Sequence, residues 1–410
     1  MSYTERKDCR ACRGELELIH DFGEFEVVNF GDKEQLRSPL VLTKCKSCHL
    51  IQLKHNVNPD LLFRNYYYKS GVNQTMRNHL QSIVEDIQNR IHLEKFDTVI
   101  DIGSNDGTLL RFYQKGLRKI GFEPSQIALD SGTASYTLFP EYFSAKAFFG
   151  NERVTYLAKV ITCIAMFYDL DDPNKFLDDI KAVLAPDGLF VIEMNYLPAM
   201  LENNRVDNIV AEHLCYYSFR SLQALLIQHG FDIEHTEFDD INGGVMRNYI
   251  RHIPEGITVK PVPAYLNQVI SHEYEMQLDK IETYQHFINR IQTNYQRLNH
   301  FISVVKNGQA KTVDCYAAST RGLILMQLAE LDNKLIRYAV DRNPAKWGKT
   351  YNGIKIISEE QMRKDPPDYL FILAQGFLPE FIQREMKFLQ DGGKFILPFP
   401  KPQVLSIDSI

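Results

Sequence analysis

The sequence predicts an α/β protein in which a small metal-binding domain precedes two Rossmann-like units. Three observations support this: two Cys-x2-Cys pairs near the start, a strand, glycine turn and helix near residue 100, and a second strand, small-residue turn and helix near residue 315. Strands that alternate with helices form a parallel sheet with helices on its faces. The length of 410 residues exceeds one typical core and suits two or three domains.

Composition and charge exclude several classes of protein. Hydrophobic residues make up 44% of the chain and charged residues 24%, which excludes wholesale disorder and a fibrous fold. The net charge is −6 and no Lys/Arg-rich run occurs, so we expect neither nucleic acid nor an acidic membrane surface as a partner. The polar start has no apolar signal core and no long apolar stretch follows, so a cytoplasmic protein is expected.

Four of the seven cysteines form two equally spaced pairs, Cys9-x2-Cys12 and Cys45-x2-Cys48. A gap of two residues lets both thiolates of a turn bind one ion, and two such turns complete the tetrahedral sulfur set that suits Zn²⁺. Sulfur in all four positions leaves no site for water or substrate, so the predicted zinc is structural and helps to fold a domain over residues 1–70. The alternative is solvated thiols on a loop. The other cysteines lie in apolar surroundings and are predicted to be core residues: Cys163, Cys215 and Cys315.

The segment FDTVIDIGSNDGTLL predicts a nucleoside-binding turn in a domain over residues 71–255. Its apolar residues form a short buried strand that carries Asp101 at its end, and Gly103, Asn105 and Gly107 form a tight turn before a helix. The next predicted strand ends at Glu123, where an acid accepts hydrogen bonds from ribose hydroxyls. The turn and the acid together indicate a cofactor that contains a nucleoside.

The charge of this turn distinguishes between cofactors. The turn lacks the second and third glycines of G-x-G-x-x-G, and Asp101 and Asp106 flank it instead. Two acids repel a pyrophosphate but favour a cationic sulfonium and an amino group. S-adenosylmethionine therefore fits better than NAD. The alternative is a Rossmann-like fold that has lost its cofactor.

Residues 256–410 are predicted to form a helical linker and a C-terminal α/β domain. The segment at about 262–305 lacks Gly and Pro beyond its start and repeats apolar residues at three- and four-residue spacing, so it predicts one or two long helices that pack between domains. A coiled-coil partner helix is the alternative. The following unit begins with the turn CYAASTRG and continues with a strand that ends in Asp341.

Five segments in a fixed order carry a resemblance to a known family. The chain resembles the zinc-containing sugar C-methyltransferases, which act on nucleotide-linked deoxy-4-ketosugars in the pathways to branched-chain sugars. The segments that carry it are the double CxxC, NYYYKSGVNQTM, IDIGSNDGTLL, AEHLCYYS and NGGVMRNYI. The resemblance implies a class I methyltransferase domain between the zinc domain and the C-terminal domain, with a nucleotide-sugar as substrate.

The chemistry implied by the resemblance requires a base. A carbon attacks a methyl sulfonium only as a carbanion equivalent, which a carbon beside a ketone supplies after a base near neutral pKa removes its proton. The resemblance implies that His213 is this base and that Glu212 orients it or holds a sugar hydroxyl. The alternative for His213 is a core histidine bonded to a backbone carbonyl. It also implies that Tyr67 or Tyr68 bonds the sugar or its diphosphate. Tyr216 and Tyr217 are candidates too, with packing aromatics as the alternative.

The resemblance further implies that the C-terminal domain closes over the nucleotide-sugar. A helix that begins after the turn CYAASTRG would meet phosphate through backbone N–H groups. Candidate contacts to the diphosphate are Ser319, Thr320, Arg321 and Lys346. The alternative is a degenerate scaffold that only covers the cleft.

Three positions depart from the family pattern. Val210 stands where a tyrosine is expected, Tyr168 or Asp169 where a histidine ends the fourth strand, and Asn242 where a histidine precedes paired glycines. The fold and the cofactor survive these changes, but the acceptor sugar and the methylated atom do not follow from the family.

Two alternatives to C-methyl transfer remain open at the level of sequence. One is an O- or N-methyltransferase of a related sugar, in which His213 deprotonates a hydroxyl or an amine. The other is an inactive binding or scaffold protein. The intact turn and Glu123 argue against the scaffold. The sequence leaves the oligomeric state open.

Overall fold

A computed structural model describes residues 3–27, 36–64, 66–132, 135–150, 156–254 and 263–410. Within these ranges the strands are β1 (Tyr3–Glu5), β2 (Leu16–Glu26), β3 (Arg37–Cys45), β4 (Ile51–Leu53), β5 (His55–Val57), β6 (Thr98–Ile102), β7 (Arg118–Phe122), β8 (Thr137–Phe139), β9 (Ala158–Ile164), β10 (Leu184–Asn195), β11 (Cys215–Tyr216), β12 (Phe231–Asp239), β13 (Val245–His252), β14 (Val313–Tyr316), β15 (Ala339–Val340), β16 (Thr350–Tyr351), β17 (Ile354–Ile357), β18 (Tyr369–Ile372), β19 (Lys394–Leu397) and β20 (Gln403–Leu405).

Helices follow most of the parallel strands. Within the described ranges the α-helices are α1 (Pro59–Phe63), α2 (Gln74–Arg90), α3 (Thr108–Phe112), α4 (Gln126–Ser131), α5 (Ala145–Phe149), α6 (Pro173–Val183), α7 (Leu197–Glu202), α8 (Phe219–Gln228), α9 (Ala264–Glu275), α10 (Ile281–Ser303), α11 (Thr320–Leu328), α12 (Glu359–Lys364), α13 (Leu378–Arg384) and α14 (Met386–Gln390). No helix among the described residues is long and apolar enough to cross a membrane.

The central sheet has seven strands in the order β12-β13-β10-β9-β6-β7-β8. β10, β9, β6, β7 and β8 are parallel, whereas β13 runs antiparallel to both of its neighbours. All five residues of β6 are buried, as expected for a parallel strand covered on both faces. Residues that follow β6, β7, β9 and β10 therefore meet at one edge of the sheet, where ligands of such folds bind. The predicted class I methyltransferase fold is confirmed.

The C-terminal domain contains a second seven-stranded sheet, in the order β16-β17-β15-β14-β18-β19-β20. Its five middle strands are parallel and both edge strands are antiparallel. Asp341 follows β15 directly, as the sequence predicts. This domain therefore repeats the Rossmann-like layering of the central domain.

The predicted long helices are α9 and α10, two helices rather than one. The buried face of α10 recurs at three- and four-residue spacing, at Tyr284, Phe287, Ile288, Ile291, Tyr295, Leu298 and Ile302. These side chains share one core with residues of the N-terminal strands and of the C-terminal sheet. The predicted role of this segment in packing between domains is confirmed for the described residues.

The N-terminal sheet includes a strand from the middle of the chain. Its order is β11-β4-β3-β2, and β11 pairs with β4 through Cys215 opposite Gln52 and Tyr216 opposite Ile51. The sequence did not reveal this pairing, because a two-residue strand has no recognisable pattern. The small domain is therefore joined by hydrogen bonds to the segment that contains His213.

Candidate active site

A cavity of about 910 Å³ lies where the N-terminal, central and C-terminal parts meet. Residues of all three parts line it. They include Tyr66, Tyr67, Tyr68, Asp101, Gly103, Asn105, Glu123, Tyr168, Asp169, Arg205, Asp207, Val210, Glu212, His213, Asn242, Ser319, Thr320, Arg321 and Lys346. The fold thus brings together most of the residues that the sequence singled out.

The four paired cysteines converge away from this cavity. The sulfurs of Cys9, Cys12, Cys45 and Cys48 lie within 4.8 Å of one another, and the Sγ atoms of Cys9 and Cys48 are 3.5 Å apart. The backbone N–H groups of Ser47 and Cys48 donate to Sγ of Cys45, each at 3.4 Å. The hydrogen bond with Cys48 lowers the pKa of the Cys9 thiol to about 5. No other group of three or more His, Cys, Asp or Glu residues in the described ranges converges in this way. The cluster therefore fits a tetrahedral metal ion.

The predicted cofactor turn lies at the carboxyl ends of β6 and β7. Asp101 is buried and accepts a hydrogen bond from Oγ1 of Thr162 at 2.6 Å. Burial raises the pKa of Asp101 to about 7, against the effect of this hydrogen bond. Gly103 follows with a φ of +73°, which a residue with a side chain adopts only with strain. The turn therefore presents a carboxyl group and an open backbone to the cavity.

Glu123 fastens the turn to the next strand. Its Oε2 accepts the backbone N–H of Asn105 at 2.8 Å, and its Oε1 accepts that of Ser125 at 2.9 Å. Each carboxylate oxygen has a further lone pair, so both remain able to accept from ribose hydroxyls. Gly107, by contrast, is not among the residues that line the cavity. A Cβ there would collide with the ring of Tyr136, so the role of Gly107 is to let the turn pack closely against that ring.

A segment that we call the tyrosine strap, residues 66–72, crosses the turn. The amide of Asn105 donates to the carbonyl of Tyr68 at 2.9 Å and accepts the N–H of Ser70 at 3.0 Å. The N–H of Gly71 donates to Asp106 at 2.8 Å. The strap therefore covers the cofactor turn through its backbone, while the tyrosines line the cavity.

The C-terminal domain holds the other face of the strap. The amide of Asn343 donates to the carbonyl of Tyr67 at 3.1 Å, and the ammonium of Lys349 donates to the Tyr67 hydroxyl at 3.0 Å. The Lys349 Nζ also lies 4.7 Å from the centre of the Tyr67 ring. Through Tyr67, the tyrosine strap over the cofactor turn is therefore bonded to the C-terminal domain, which is predicted to bind the nucleotide.

His213 is held by the backbone that precedes it. Its Nδ1 lies 2.8 Å from the carbonyl oxygen of Asn208, and its ring packs against Tyr168 with centroids 4.3 Å apart. Burial first, and then the charge of Arg321, lower the pKa of His213 to about 3, so the imidazole is neutral at pH 7. Burial raises the pKa of the adjacent Glu212 to about 7. The cavity wall therefore carries a neutral imidazole beside a carboxyl group that titrates near neutrality.

A buried ion cluster adds positive charge to the same wall. Arg205 donates to both oxygens of Asp207, at 2.9 and 2.8 Å, and Arg321 donates to Asp207 at 2.6 Å. Burial opposes ionisation of Asp207, but the two guanidinium groups lower its pKa to about 2. One carboxylate therefore faces two cations, which leaves one net positive charge. The Nε of Arg321 is buried and has no hydrogen-bond partner among the described residues.

The other C-terminal candidates lie in the cavity wall as predicted, but two of them have structural partners. The hydroxyl of Ser319 accepts the N–H of Gly322 at 3.1 Å and so caps α11. The ammonium of Lys346 donates to Asp341 at 2.9 Å and to the carbonyl of Ala318 at 2.7 Å. Thr320 and Arg321 follow the cap. Arg321 is thus the cation best placed to meet an anion in the cavity.

The three unusual positions all line the cavity. Val210 lies close before His213, Asp169 ends the turn after β9, and Asn242 adopts a φ of +54°. The carbonyl of Asn242 accepts from Arg321 at 3.0 Å.

Tyr216 and Tyr217 are buried and are not among the residues that line the cavity, which agrees with the interpretation that they are packing aromatics. The other three cysteines are buried, as predicted: Cys163, Cys215 and Cys315.

Sequence reasoning did not identify Arg205 and Asp207 as residues of the site. One sequence feature relates to them, the pair Gly243-Gly244, because a Cβ at Gly243 would collide with the Arg205 guanidinium. Paired glycines indicate a close approach of another group to the backbone, but they do not say which group. Only the fold shows that this group is an arginine.

Comparison with known proteins identifies the family of the chain. A family model for a methyltransferase domain matches residues 73–236, and one for a C-methyltransferase C-terminal domain matches residues 240–400. The C-methyltransferase NovU of Streptomyces niveus is 32% identical over 420 aligned residues, which cover 98% of this chain and 97% of that protein.

Solved methyltransferase structures resemble parts of the chain. The complex of the Haloferax volcanii Trm112 methyltransferase activator with a methyltransferase includes a chain that is 15% identical, with a TM-score of 0.36, over 45% of this chain and 94% of that one. The mitomycin 7-O-methyltransferase MmcR is 20% identical, with a TM-score of 0.34, over 43% of this chain and 54% of that one. The full-length identity to NovU and the two family models show that this chain belongs to the C-methyltransferase family and is an S-adenosylmethionine-dependent methyltransferase.

Proposed function

We propose that this protein transfers a methyl group to the carbon beside the ketone of a nucleotide-linked deoxy-ketosugar. The observation that carries the proposal is the contact between His213 Nδ1 and the carbonyl oxygen of Asn208. A carbonyl oxygen only accepts, so Nδ1 holds the proton of the neutral ring and Nε2 holds a lone pair. Among the described residues Nε2 has no hydrogen-bond partner, and His213 lines the cavity. An unprotonated ring is the form that a general base requires, although burial lowers its pKa to about 3, below the near-neutral value expected from the sequence.

The proposed reaction follows from this arrangement. Nε2 of His213 takes the proton from the carbon beside the ketone, and the electron pair of that C–H bond forms an enolate. S-adenosylmethionine supplies the methyl group, so a C–C bond forms as the S–C bond breaks. Asp101 and the turn at Gly103 would hold the amino acid portion and Glu123 the ribose, because they line the cavity at the ends of β6 and β7.

The charge of the cavity wall supports an anionic substrate. Arg205 and Arg321 share Asp207, so one positive charge is uncompensated, and the Nε of Arg321 lacks a partner among the described residues. Arginine binds phosphate oxygens through two parallel N–H groups. We therefore assign the diphosphate to Arg321, with Thr320 and the hydroxyls of Tyr67 and Tyr68 as further contacts.

We also propose that the cysteine cluster holds a structural Zn²⁺. All four sulfurs converge, and two backbone N–H groups donate to Cys45 as in metal-binding turns. The cluster adjoins β3 and β4, and β4 pairs with β11 next to His213. The metal would thus stabilise the strand that positions the base.

The test is methyl transfer from labelled S-adenosylmethionine to a panel of nucleotide-linked sugars, with and without a 4-keto group, in deuterated water. We expect label on the carbon beside the ketone in the product, and solvent deuterium at the same carbon of the substrate recovered without methylation. His213→Gln should abolish both, whereas His92→Gln changes an exposed residue and should leave them unaltered. Label on oxygen or nitrogen, or methylation of sugars without the ketone, would contradict the proposal and indicate O- or N-methyl transfer.

A further inference from the structure

Asp169 lines the same cavity as the proposed base. It ends the short helical turn Phe167–Asp169 that follows β9. The backbone of this turn is joined to that of the base segment, because the N–H of Leu214 donates to the carbonyl of Tyr168 at 2.9 Å. The Tyr168 ring also packs on the His213 ring. Asp169 and His213 therefore reach the cavity from two adjacent segments of the backbone.

One oxygen of the Asp169 carboxyl group has no partner among the described residues. This atom, Oδ1, is buried, and no group of the described ranges donates to it. Two cations of the cavity wall, Arg205 and Arg321, are bound to Asp207 instead. Burial first, and then the charge of Glu212, raise the pKa of Asp169 well above its ordinary value. A carboxyl group in such surroundings retains its proton and becomes a hydrogen-bond donor.

We propose that Asp169 is a catalytic residue that donates a hydrogen bond from its protonated carboxyl group to the ketone oxygen, and to the enolate oxygen that forms when His213 removes the neighbouring proton. This rests on the proposed function. As the C–H electron pair moves toward carbon, negative charge grows on the oxygen, and a donor aimed there stabilises the transition state more than the ground state. Asp169 keeps its proton throughout, so its charge does not change during the reaction.

The alternative role for Asp169 is ionic. An ionised Asp169 would bind a cationic group, such as the ammonium of an amino sugar. Its surroundings favour the neutral acid, because the neighbouring groups are a second carboxyl group, neutral rings and a thiol. The titratable groups that interact with its charge are Tyr66, Cys163, Tyr168, Glu212 and Tyr216. His213 packs on Tyr168, and two cations lie beyond these rings, Arg321 near Tyr168 and Arg10 near Tyr216.

The experiment measures hydrogen–deuterium exchange at the carbon beside the ketone, without S-adenosylmethionine, by NMR of a nucleotide-linked deoxy-4-ketosugar that the unsubstituted protein methylates. Asp169→Leu fills the space and removes the donor, and Asp169→Asn keeps a donor that cannot ionise. We expect Asp169→Leu to lower the exchange rate by about 10²–10³-fold with unchanged affinity for S-adenosylmethionine. Asp169→Asn should retain a larger part of the rate.

A pH profile separates this role from a structural one. Exchange by the unsubstituted protein should fall at alkaline pH as Asp169 loses its proton, and Asp169→Asn should lack this fall. Asp169→Leu with an unaltered exchange rate, or Asp169→Asn with an unaltered alkaline fall, would overturn the proposal. So would a defect of Asp169→Asn that is confined to amino-substituted sugars. The unsubstituted protein is measured before the variants. If it neither methylated a ketosugar nor catalysed hydrogen–deuterium exchange in one, the proposed function itself would fail.

Discussion

His213 donates through Nδ1 to the carbonyl oxygen of Asn208, five residues earlier in the same loop, at 2.8 Å. The loop therefore fixes both the orientation and the tautomer of the ring. Its lowered pKa of about 3 keeps the ring unprotonated at neutral pH, so the base form is available without a change of pH. The neighbouring Glu212, with a pKa near 7, is then the group whose charge changes in the working range.

The first prediction concerns this titration of Glu212. Its carboxyl group ionises as pH rises through about 7, and an anion beside an imidazole increases the proton affinity of the ring. We therefore expect kcat/KM for methyl transfer to rise with pH through about 7. Glu212→Gln should remove this inflection and lower the rate on its high-pH side. An inflection near pH 7 that persists in Glu212→Gln would show that another group causes it.

The second prediction concerns the stability of the ion cluster. Asp207→Asn leaves Arg205 and Arg321 buried without their shared carboxylate, so we expect the free energy of unfolding to fall by about 3 kcal/mol at pH 7. Chemical denaturation measures this loss. Asp130→Asn is the control, because Asp130 is an exposed carboxylate on the same domain. Equal stability of Asp207→Asn and the unsubstituted protein would contradict the cluster.

The stability that the same cluster contributes should decrease at acid pH. The folded-state pKa of Asp207, about 2, is below its unfolded value of about 3.9. The carboxylate therefore contributes stability above about pH 4, and this contribution is lost as pH falls toward 2. We expect the difference in stability between the unsubstituted protein and Asp207→Asn to shrink over that interval. A difference that grows on acidification would rule out the ionised form of Asp207 as its source.

The third prediction concerns the cysteine cluster. We expect Cys12→Ser, or a strong chelator, to remove bound zinc and lower the first melting transition by roughly 10 °C. Methyl transfer should fall with it, because the paired strands β4 and β11 link the cluster to His213. Cys315→Ala changes a buried cysteine outside the cluster and should keep the metal. Purified protein with no metal, and a Cys12→Ser variant of normal stability, would contradict the assignment.

The fourth prediction concerns the tyrosine strap. Lys349→Met removes the donor to the Tyr67 hydroxyl, so the strap should open more readily over the cofactor turn. Loss of about 1 kcal/mol corresponds to roughly fivefold faster release of S-adenosylmethionine. Stopped-flow displacement measures the rate. Lys355→Met is a matched control, since Lys355 is exposed on β17 of the same domain. Identical release rates in the two variants would show that Tyr67 does not restrain the strap.

Local patterns explain what the sequence predicted correctly. The sulfur spacing, the buried strand before Asp101 and the acid at Glu123 each depend on a few consecutive residues, and their geometry follows from chain chemistry alone. The long helices were likewise predicted from apolar spacing and occur as α9 and α10. The patterns themselves are local, although the convergence of the two cysteine pairs and the hydrogen bond between Asn105 and Glu123 join separate segments.

The sequence by itself determined the fold class and the four cysteines that converge. It predicted the cofactor turn, and the family resemblance singled out His213 as the candidate base. Tertiary structure alone decided how distant parts meet: that β11 pairs with the N-terminal sheet, that Asp207 is shared by Arg205 and Arg321, and that Oδ1 of Asp169 has no partner among the described residues. The physical reason is that burial and charge depend on neighbours far apart in the chain. Aspartate is the same residue at both positions of the sequence, and only its surroundings lower its pKa, as at Asp207, or raise it, as at Asp169.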